Sequence, residues 1–244
     1  MGRRGIAIVL AWLAAASGVW AGSACAQQAI GSTAVAQNQV TRELAGASAN
    51  LAVGDSVYLN EVVKTGADSL AKFVFVDSTN LAIGPASRVV LDRFVYEGDP
   101  SAQKVAVNLA KGVFRFTTGG LDKKAYTINT PTAAIGVRGT ILDISASTLE
   151  TRVTNIEGLA IVCPRRAGVS LENQIKACLA HSGKCECAVI HPGETARVKK
   201  GASQAAMSST PVDFASLCAG DSSLCSGASY ASAGAVSGGV LCGR

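Results

Sequence analysis

The sequence predicts an all-β fold, and two observations support this prediction. Between about residues 49 and 200, short runs of β-branched and aromatic residues alternate with polar residues, and Gly, Asp, Ser or Asn separates the runs, as is typical of strands and turns. Three aromatic pairs also recur at intervals of 21 and then 20 residues: Phe73 and Phe75, Phe94 and Tyr96, Phe114 and Phe116. Because residues two positions apart on a strand point to one face, each pair lies on one side of its strand.

The aromatic repeat fits two architectures. A repeat of about 20 residues that holds several short strands is typical of a β-solenoid, in which each coil stacks its inward residues on the next. Strands at regular short spacing also occur in a β-sandwich. The sequence therefore predicts a solenoid-like or sandwich-like β domain and leaves the two open.

The first 26 residues predict a signal peptide. Arg3 and Arg4 form a basic start, an apolar run follows, and Ala24-Cys25-Ala26 is a small-residue cleavage site. We therefore expect a periplasmic or secreted protein, with a lipid anchor at Cys25 as the alternative. No later apolar run approaches the roughly 20 residues that cross a bilayer, so we expect no integral membrane segment after signal removal.

Three zones follow the signal peptide. Residues 27–48 are rich in Ala, Gln and Ser and predict a flexible leader. Residues 49–200 carry nearly all the aromatic and β-branched runs and predict the folded β domain. Residues 201–244 are dominated by Gly, Ala and Ser, and we expect a loosely ordered tail except where its cysteines hold it.

The charge of the chain argues against a nucleic-acid partner. The formal net charge is +5, and removal of the two signal arginines (5 − 2) leaves +3. The basic pairs Lys123-Lys124, Arg165-Arg166 and Lys199-Lys200 are isolated and form no clustered face that would displace counterions from phosphates.

One segment carries the most information about function. In Thr130-Pro131-Thr132-Ala133-Ala134-Ile135-Gly136-Val137-Arg138-Gly139-Thr140, glycines, one arginine and flanking threonines interrupt an apolar run. Turn motifs precede and follow it in a fixed order: Gly54-Asp55, Lys64–Ser69, Gly84–Ser87, Glu157-Gly158 and Pro192–Glu194. Together these motifs resemble the FecR domain, closely over residues from about 50 to 160 and more loosely to 198.

The resemblance implies a solenoid-like β fold and a noncatalytic periplasmic module. Members of this family are best known as regulators that relay signals from outer-membrane transporters to sigma factors. Those regulators carry an anti-sigma segment and a membrane span, and the sequence has a counterpart of neither. The resemblance therefore extends to the periplasmic module, which presents a rigid surface to another envelope protein, such as an outer-membrane receptor or transporter.

The expected contact residues lie in the same segment: Thr130, Pro131, Val137, Arg138, Gly139 and Thr140. Gly136 and Gly139 bracket Val137 and Arg138, and glycines inside a strand mark a bulge or a close backbone approach. Held at such a kink, Arg138 contacts a partner carboxylate or pairs with Asp143 or Glu157 inside the domain.

A cysteine-rich insertion, residues 163–187, interrupts the strand pattern and contains a predicted short helix. Ser170 is a plausible N-cap, and Leu171, Ile175 and Cys178 share one helical face. Export predicts disulfides among the mature cysteines, which are Cys163, Cys178, Cys185, Cys187, Cys218, Cys225 and Cys242. Seven is odd, so one thiol stays free or pairs with another chain, unless cleavage after Ala21 retains Cys25.

Within this set, Cys185 and Cys187 are poor mutual partners, because two residues in an extended strand sit near the limit of bridging distance. Each of them is expected to reach Cys163, Cys178 or the tail. The cysteines and histidines of this region could instead bind zinc, with thiolates and imidazoles as the four tetrahedral ligands. Their spacing matches no standard zinc site. The candidate ligands are Cys178, His181, Cys185, Cys187 and His191.

No enzyme class is indicated, and no cofactor is expected. Gly54-Asp55-Ser56 and Gly220-Asp221-Ser222 resemble esterase nucleophile blocks, but neither histidine stands at the spacing of a catalytic base. The two tryptophans lie inside the signal peptide, so a sugar cleft lacks its usual aromatic platforms. We therefore expect a noncatalytic envelope module for protein interaction or signal sensing. The alternatives are a metal- or redox-responsive protein centred on Cys178–His191 and a cell-wall or carbohydrate binder.

Overall fold

The computed structural model describes residues 29–95, 104–120, 126–180, 185–220 and 222–225. The predicted signal peptide with Cys25 lies outside the described residues, as do Tyr96, His181 and Cys242. The described residues belong to one compact unit. In the described part of the chain, no helix has both the length and the apolar character that a membrane span requires.

Strands dominate the structure, which confirms the all-β prediction. The described residues contain fifteen strands, which are β1 (Ala29–Gln37), β2 (Val40–Leu44), β3 (Ala47–Asn50), β4 (Ser56–Tyr58), β5 (Val62–Thr65), β6 (Leu70–Phe75), β7 (Asn80–Ile83), β8 (Arg88–Val95), β9 (Lys104–Thr117), β10 (Tyr126–Asn129), β11 (Ala133–Ala146), β12 (Glu150–Pro164), β13 (Ala188–Ile190), β14 (Thr195–Lys199) and β15 (Ala206–Ser208). The helices are α1 (Leu171–Ala180) and α2 (Ala215–Gly220), with a 3-10 turn at Ser222–Leu224.

The strands join into one hydrogen-bonded network. Its main path runs β15-β14-β12-β11-β10-β9-β7-β6-β1-β4, and β2, β3, β5, β8 and β13 branch from it. Among the described strands, the β9–β10 pair is parallel and the other pairs are antiparallel. Consecutive strands thus fold back on their neighbours, which a short turn is sufficient to achieve.

Cross-strand rows explain the aromatic pairs seen in the sequence. Phe73 of β6 lies opposite Leu81 of β7, which lies opposite Phe116 of β9. Phe116 in turn lies opposite Leu142 of β11, and all four side chains are buried in the core. Phe73 and Phe116 therefore lie in one cross-strand row with Leu81 between them, and this row is part of the main hydrophobic core.

The stretch expected to be a flexible leader contains a central strand. β1 pairs with β6 on one side and β4 on the other, and Ile30 and Val35 are buried. Its small residues allow close packing: a Cβ added to Gly31 would lie 2.6 Å from the carbonyl oxygen of Val74. The composition of this stretch did not indicate a strand, because its small side chains form no clear pattern of large apolar residues, even though the strand pairs on both edges.

The face of the sheet that points away from the main core carries a polar row. Lys72, Arg115 and Asp143 lie side by side on this row with Ala82 between the first two, because β6, β7, β9 and β11 are in register. Residues 212–220 and 222–225, here called the C-terminal strap, cover this row. Phe214 and Leu224 of the strap are fully buried against Val35 and Ala82. Part of the predicted tail thus completes the fold.

The predicted helix of the insertion is present as α1. The backbone N–H of Asn173 donates a hydrogen bond to Ser170 Oγ, so Ser170 caps the helix as expected. α1 packs over Gly136 of β11, where an added Cβ would lie 3.1 Å from Leu171 Cδ2. The glycine therefore provides the room that seats the helix on the sheet.

Candidate interaction surface

The Thr130–Thr140 segment covers the turn between β10 and β11 and the first half of β11. Its first threonines form an internal hydroxyl network rather than a surface. Thr151 Oγ1 lies 2.7 Å from both Thr130 Oγ1 and Thr132 Oγ1, and all three residues are buried. Thr130 Oγ1 also accepts a hydrogen bond from the backbone N–H of Ala133. These side chains stabilise the turn because each buried hydroxyl finds a partner.

The structure divides the six predicted contact residues into two groups. Pro131, Arg138 and Gly139 are exposed. Thr130, Val137 and Thr140 are buried, so they support the surface from beneath. A side chain that is buried in the core does not meet a partner directly, and the expected contact set therefore narrows to the exposed members.

A β-bulge positions Arg138. The pairing of β11 with β12 slips between Arg138 and Ile141, next to Gly139, which has a φ of +60°. Gly158, on the facing strand, has a φ of +83°. Left-handed backbone of this kind favours glycine, and a bulge turns the side chains beside it out of the regular pleat. The bulge that the glycine pattern predicts is thus observed where Arg138 leaves the sheet.

Arg138 makes no side-chain hydrogen bond or ion pair within the described residues. One of its expected internal partners, Asp143, is already bound by Arg115, whose Nε and Nη2 each donate a hydrogen bond of 2.7 Å to the carboxylate. The other, Glu157, is exposed and forms no ion pair within the described part of the chain. The internal pairings considered from the sequence are therefore not formed, and the guanidinium remains available.

Exposed apolar side chains lie on the two strands beyond Arg138. Leu159 lies directly opposite it on β12, and Val189 of β13 lies opposite Ile161 on the same face. Ile156 lies at the bulge, and the exposed fractions of Ile156, Leu159 and Val189 are 44%, 38% and 48%. We call Arg138, Ile156, Leu159 and Val189 the Arg138 surface. It combines a free cation with apolar area, a composition typical of protein–protein contacts.

Two disulfides fix the insertion beside this surface. Cys163 at the end of β12 bonds to Cys187 just before β13, with Cα atoms 4.1 Å apart. Cys178 of α1 bonds to Cys185, with Cα atoms 4.6 Å apart. Cys185 and Cys187 thus bond elsewhere rather than to each other, as expected. With Cys218–Cys225, the disulfide prediction is confirmed for six of the seven mature cysteines.

The candidate metal ligands are only partly brought together. The Sγ atoms of Cys178, Cys185 and Cys187 lie within 4.8 Å of one another. Each of these sulfurs is engaged in a disulfide, so none is a thiolate ligand in this state. His191 is exposed and does not join the sulfur group; its backbone N–H donates to the carboxylate of Glu194. The arrangement is a pair of adjacent cross-links.

Two buried charged groups had no signal in the sequence. Glu61 is fully buried at the start of the fold, and its Oε2 accepts a hydrogen bond of 2.8 Å from the backbone N–H of Tyr58. Burial raises the pKa of Glu61, and Arg42 lies nearby, with Nε 3.7 Å from Oε1. The second group is the polar row beneath the strap. Charged residues are usually exposed, so their burial could be found only from the tertiary contacts.

Comparison with known proteins gives one family match. Residues 61–160 match the family model described as FecR protein. No curated protein matches this chain. Two crystal structures, each of a proposed anti-sigma factor from Parabacteroides distasonis ATCC 8503, are similar at 10% and 11% identity, with TM-scores of 0.46 and 0.44. The matches cover 65% and 64% of this chain and 63% and 62% of those chains, so the chain spans less than two thirds of their length. The resemblance to the FecR domain is confirmed: this chain carries a FecR domain over residues 61–160.

Proposed function

We propose that this protein is a noncatalytic interaction module of the cell envelope that takes part in signalling or regulation. The FecR domain suggests a signalling or regulatory role, and proteins with such domains are typically non-enzymatic. Three disulfides among the described residues suggest a non-cytoplasmic location, because cytoplasmic thiols are kept reduced. The predicted signal peptide agrees with periplasmic export or secretion.

One observation carries the proposal. Arg138 stands exposed at a glycine-lined bulge, makes no side-chain ion pair or hydrogen bond within the described residues, and is flanked by the exposed Ile156, Leu159 and Val189. An arginine among apolar side chains is a common centre of binding energy, because its planar guanidinium forms two parallel hydrogen bonds to a carboxylate. The scaffold beneath it is rigid, since β12 pairs with β11, β13 and β14.

The surface favours a partner of definite chemistry. A protein segment with a carboxylate flanked by apolar side chains would satisfy Arg138 and cover Leu159 and Val189. β13 pairs only with β12 within the described strands, so its outer edge also offers backbone groups for strand addition. An outer-membrane receptor or transporter is the class of envelope protein that the FecR family suggests. Binding would be a docking step without any change in covalent bonds.

A site-specific cross-link tests this proposal. A photoreactive side chain replaces Val189 in the exported full-length protein, and cross-linked envelope proteins are identified by mass spectrometry. We expect one discrete product, lost when Arg138→Glu is added. Lys200→Glu is the matched control, because Lys200 is exposed and lies at the far end of β12 beside Leu149. A product that survives Arg138→Glu, or that Lys200→Glu removes equally, would contradict docking at the Arg138 surface.

A second candidate function rests on the clustered sulfurs. Cys178, Cys185 and Cys187 lie close enough to exchange disulfides or, once reduced, to bind a soft metal ion. A metal- or redox-responsive protein would use these three sulfurs. Thiol titration and metal analysis of protein purified from the periplasm test it. A fully oxidised, metal-free insertion that resists mild reduction would exclude this candidate while leaving the Arg138 surface untouched.

A further inference from the structure

The C-terminal strap closes on the sheet through a disulfide that contacts an arginine. Arg115 Nη1 donates a hydrogen bond of 2.7 Å to Cys225 Sγ and lies 3.6 Å from Cys218 Sγ. Cys218 and Cys225 are bonded to each other, with Cα atoms 5.7 Å apart. Within the described residues, no cationic side chain bonds to the sulfurs of the other two disulfides. The hydrogen bond from the Arg115 guanidinium therefore distinguishes Cys218–Cys225 from the other two disulfides of the described residues.

In the described part of the chain, two cationic side chains lie close to this cross-link. Asp143 binds the other side of the Arg115 guanidinium through two hydrogen bonds. Lys72 Nζ donates a hydrogen bond of 2.8 Å to the carbonyl oxygen of Ser223, two residues before Cys225. The ring of Phe214 lies 5.4 Å from Arg115 Cζ and shields this cluster from water. The contact between Arg115 and the sulfurs thus lies in a partly dry site, where charge acts more strongly than in water.

Such a site favours a thiolate. A neighbouring arginine lowers the pKa of a cysteine thiol, and a thiol of lower pKa leaves faster in thiol–disulfide exchange. We propose that Cys218–Cys225 is a thiol–disulfide exchange site whose co-substrate is a dithiol reductant of the cell envelope. This inference does not depend on the Arg138 surface or on the sulfur cluster of the insertion.

The exchange proceeds in two balanced steps. A thiolate of the reductant attacks Cys218 Sγ, a new S–S bond forms, and the Cys218–Cys225 bond breaks with its electron pair on Cys225 Sγ, held by Arg115. The second thiolate of the reductant then attacks its own sulfur in the mixed disulfide. This step releases the Cys218 thiolate, which takes a proton from water, and the reductant leaves as a disulfide. Two electrons pass from the dithiol to the strap.

The chain contains a matched control for this inference. Cys178–Cys185 and Cys218–Cys225 both have a sequence separation of 7, so both close loops of equal length with similar chain entropy. Cys185 is exposed, whereas Cys218 and Cys225 are half-buried. Accessibility alone predicts that Cys178–Cys185 is reduced first. Stabilisation of the leaving thiolate by Arg115 predicts the opposite order.

Graded reduction of the folded full-length protein decides between these orders. The protein is equilibrated with increasing dithiothreitol, quenched with iodoacetamide and sequenced by mass spectrometry. We expect alkylation of Cys218 and Cys225 at a several times lower concentration of dithiothreitol than that of Cys178 and Cys185, because an arginine beside the sulfur stabilises the thiolate of the reduced form. Equal thresholds, or earlier alkylation of Cys178 and Cys185, would overturn the proposal.

Substitution of Arg115 tests the cause. Arg115→Lys keeps the charge, so the order of reduction should persist. Arg115→Gln with Asp143→Asn removes both charges together and leaves no buried carboxylate unpaired, and the difference in dithiothreitol threshold should disappear. Persistence of the difference in a double variant whose circular dichroism matches the parent protein would overturn the role of Arg115.

A thiol titration covers the case in which the double variant fails to fold. Cys218→Ser leaves the Cys225 thiol beside Arg115, and Cys225→Ser leaves the more distant Cys218 thiol. The alkylation rate of each thiol is measured against pH. We expect Cys225 to titrate below the ordinary thiol value of about 8.5 and below Cys218. A Cys225 profile at or above that value would overturn the proposal.

Discussion

Gly158 lies against Gly139 across the bulge of β11 and β12, so closely that a Cβ on Gly158 would stand 1.9 Å from the carbonyl oxygen of Gly139. This contact joins two motifs that lie apart in the sequence, the Arg138-Gly139 step and Glu157-Gly158. The bulge that displays Arg138 therefore depends on the absence of a side chain on the facing strand.

Gly158→Ala should destabilise the domain strongly. The new Cβ would clash with the backbone of Gly139, which cannot move aside as a flexible side chain can. The φ of +83° is also strained for alanine. We expect the free energy of unfolding, measured by urea denaturation, to fall by about 3 kcal/mol. Gly193→Ala is the control, because Gly193 has a φ of +87° with nothing within 4 Å of the added Cβ. It should lose only about 1–2 kcal/mol, and equal losses would contradict the clash.

Thr151→Val should weaken the hydroxyl network beneath the Thr130 turn. The substitution keeps the shape of the side chain but removes the oxygen that lies 2.7 Å from Thr130 Oγ1 and Thr132 Oγ1. We expect a loss of about 1–2 kcal/mol in the free energy of unfolding, because buried hydroxyls lose a partner. Thr210→Val, at an exposed position, should change it by less than about 0.5 kcal/mol. A stable Thr151→Val protein would show that the network contributes little.

Phe214→Ala should release the strap from the sheet. Phe214 is fully buried between the strap and Ala82, and it also covers the Arg115 guanidinium. Loss of this ring costs about 3–5 kcal/mol of local stability, so hydrogen exchange in residues 212–225 should accelerate while β11 and β12 stay protected. Met207→Ala, whose side chain is 54% exposed, should leave the exchange pattern unchanged. Uniform acceleration across the sheet would instead show that the strap unfolds only with the whole domain.

Glu61→Gln should change how stability depends on pH. Burial raises the pKa of Glu61 above its ordinary 4.5, with Arg42 opposing the effect. The folded state therefore keeps the proton at pH values where the unfolded chain has lost it. The contribution of Glu61 to stability is fully present below pH 4.5 and is lost as the pH rises through the raised value.

The measurement is the free energy of unfolding of the native protein minus that of Glu61→Gln, determined from pH 4 to pH 8. This difference should fall as the pH rises, since glutamine keeps an acceptor for the Tyr58 N–H but does not ionise. The exposed Glu157→Gln serves as the control and should show no comparable drift. A difference that stays constant or rises with pH would be incompatible with a raised pKa.

Local pattern was sufficient for several features of the fold. Alternation over β6 and β9 predicted strands, the Gly136–Gly139 spacing predicted the bulge, and Ser170 predicted the start of α1; each depends on neighbouring residues in the chain. The sequence did not predict β1, because its small residues make apolar contacts only once β4 and β6 have paired with it on either side. The exposure of the candidate contact residues could not be predicted from the pattern, since Thr130 and Thr140 are buried whereas Arg138 is exposed.

By itself, the sequence determined the β class, the FecR motifs and the short helix. It also indicated that Cys185 and Cys187 do not form a disulfide with each other. The strand and helix predictions follow from periodicities of two and 3.6 residues, and the cysteine prediction follows from the reach of the side chain, all of which are local. The FecR motifs were identified by their resemblance to a known family. Only the tertiary structure decided which face of each strand meets the core and which charges are buried. It seats the strap on Lys72, Arg115 and Asp143 because strands distant in sequence come into register, and that register depends on the packing of the whole sheet.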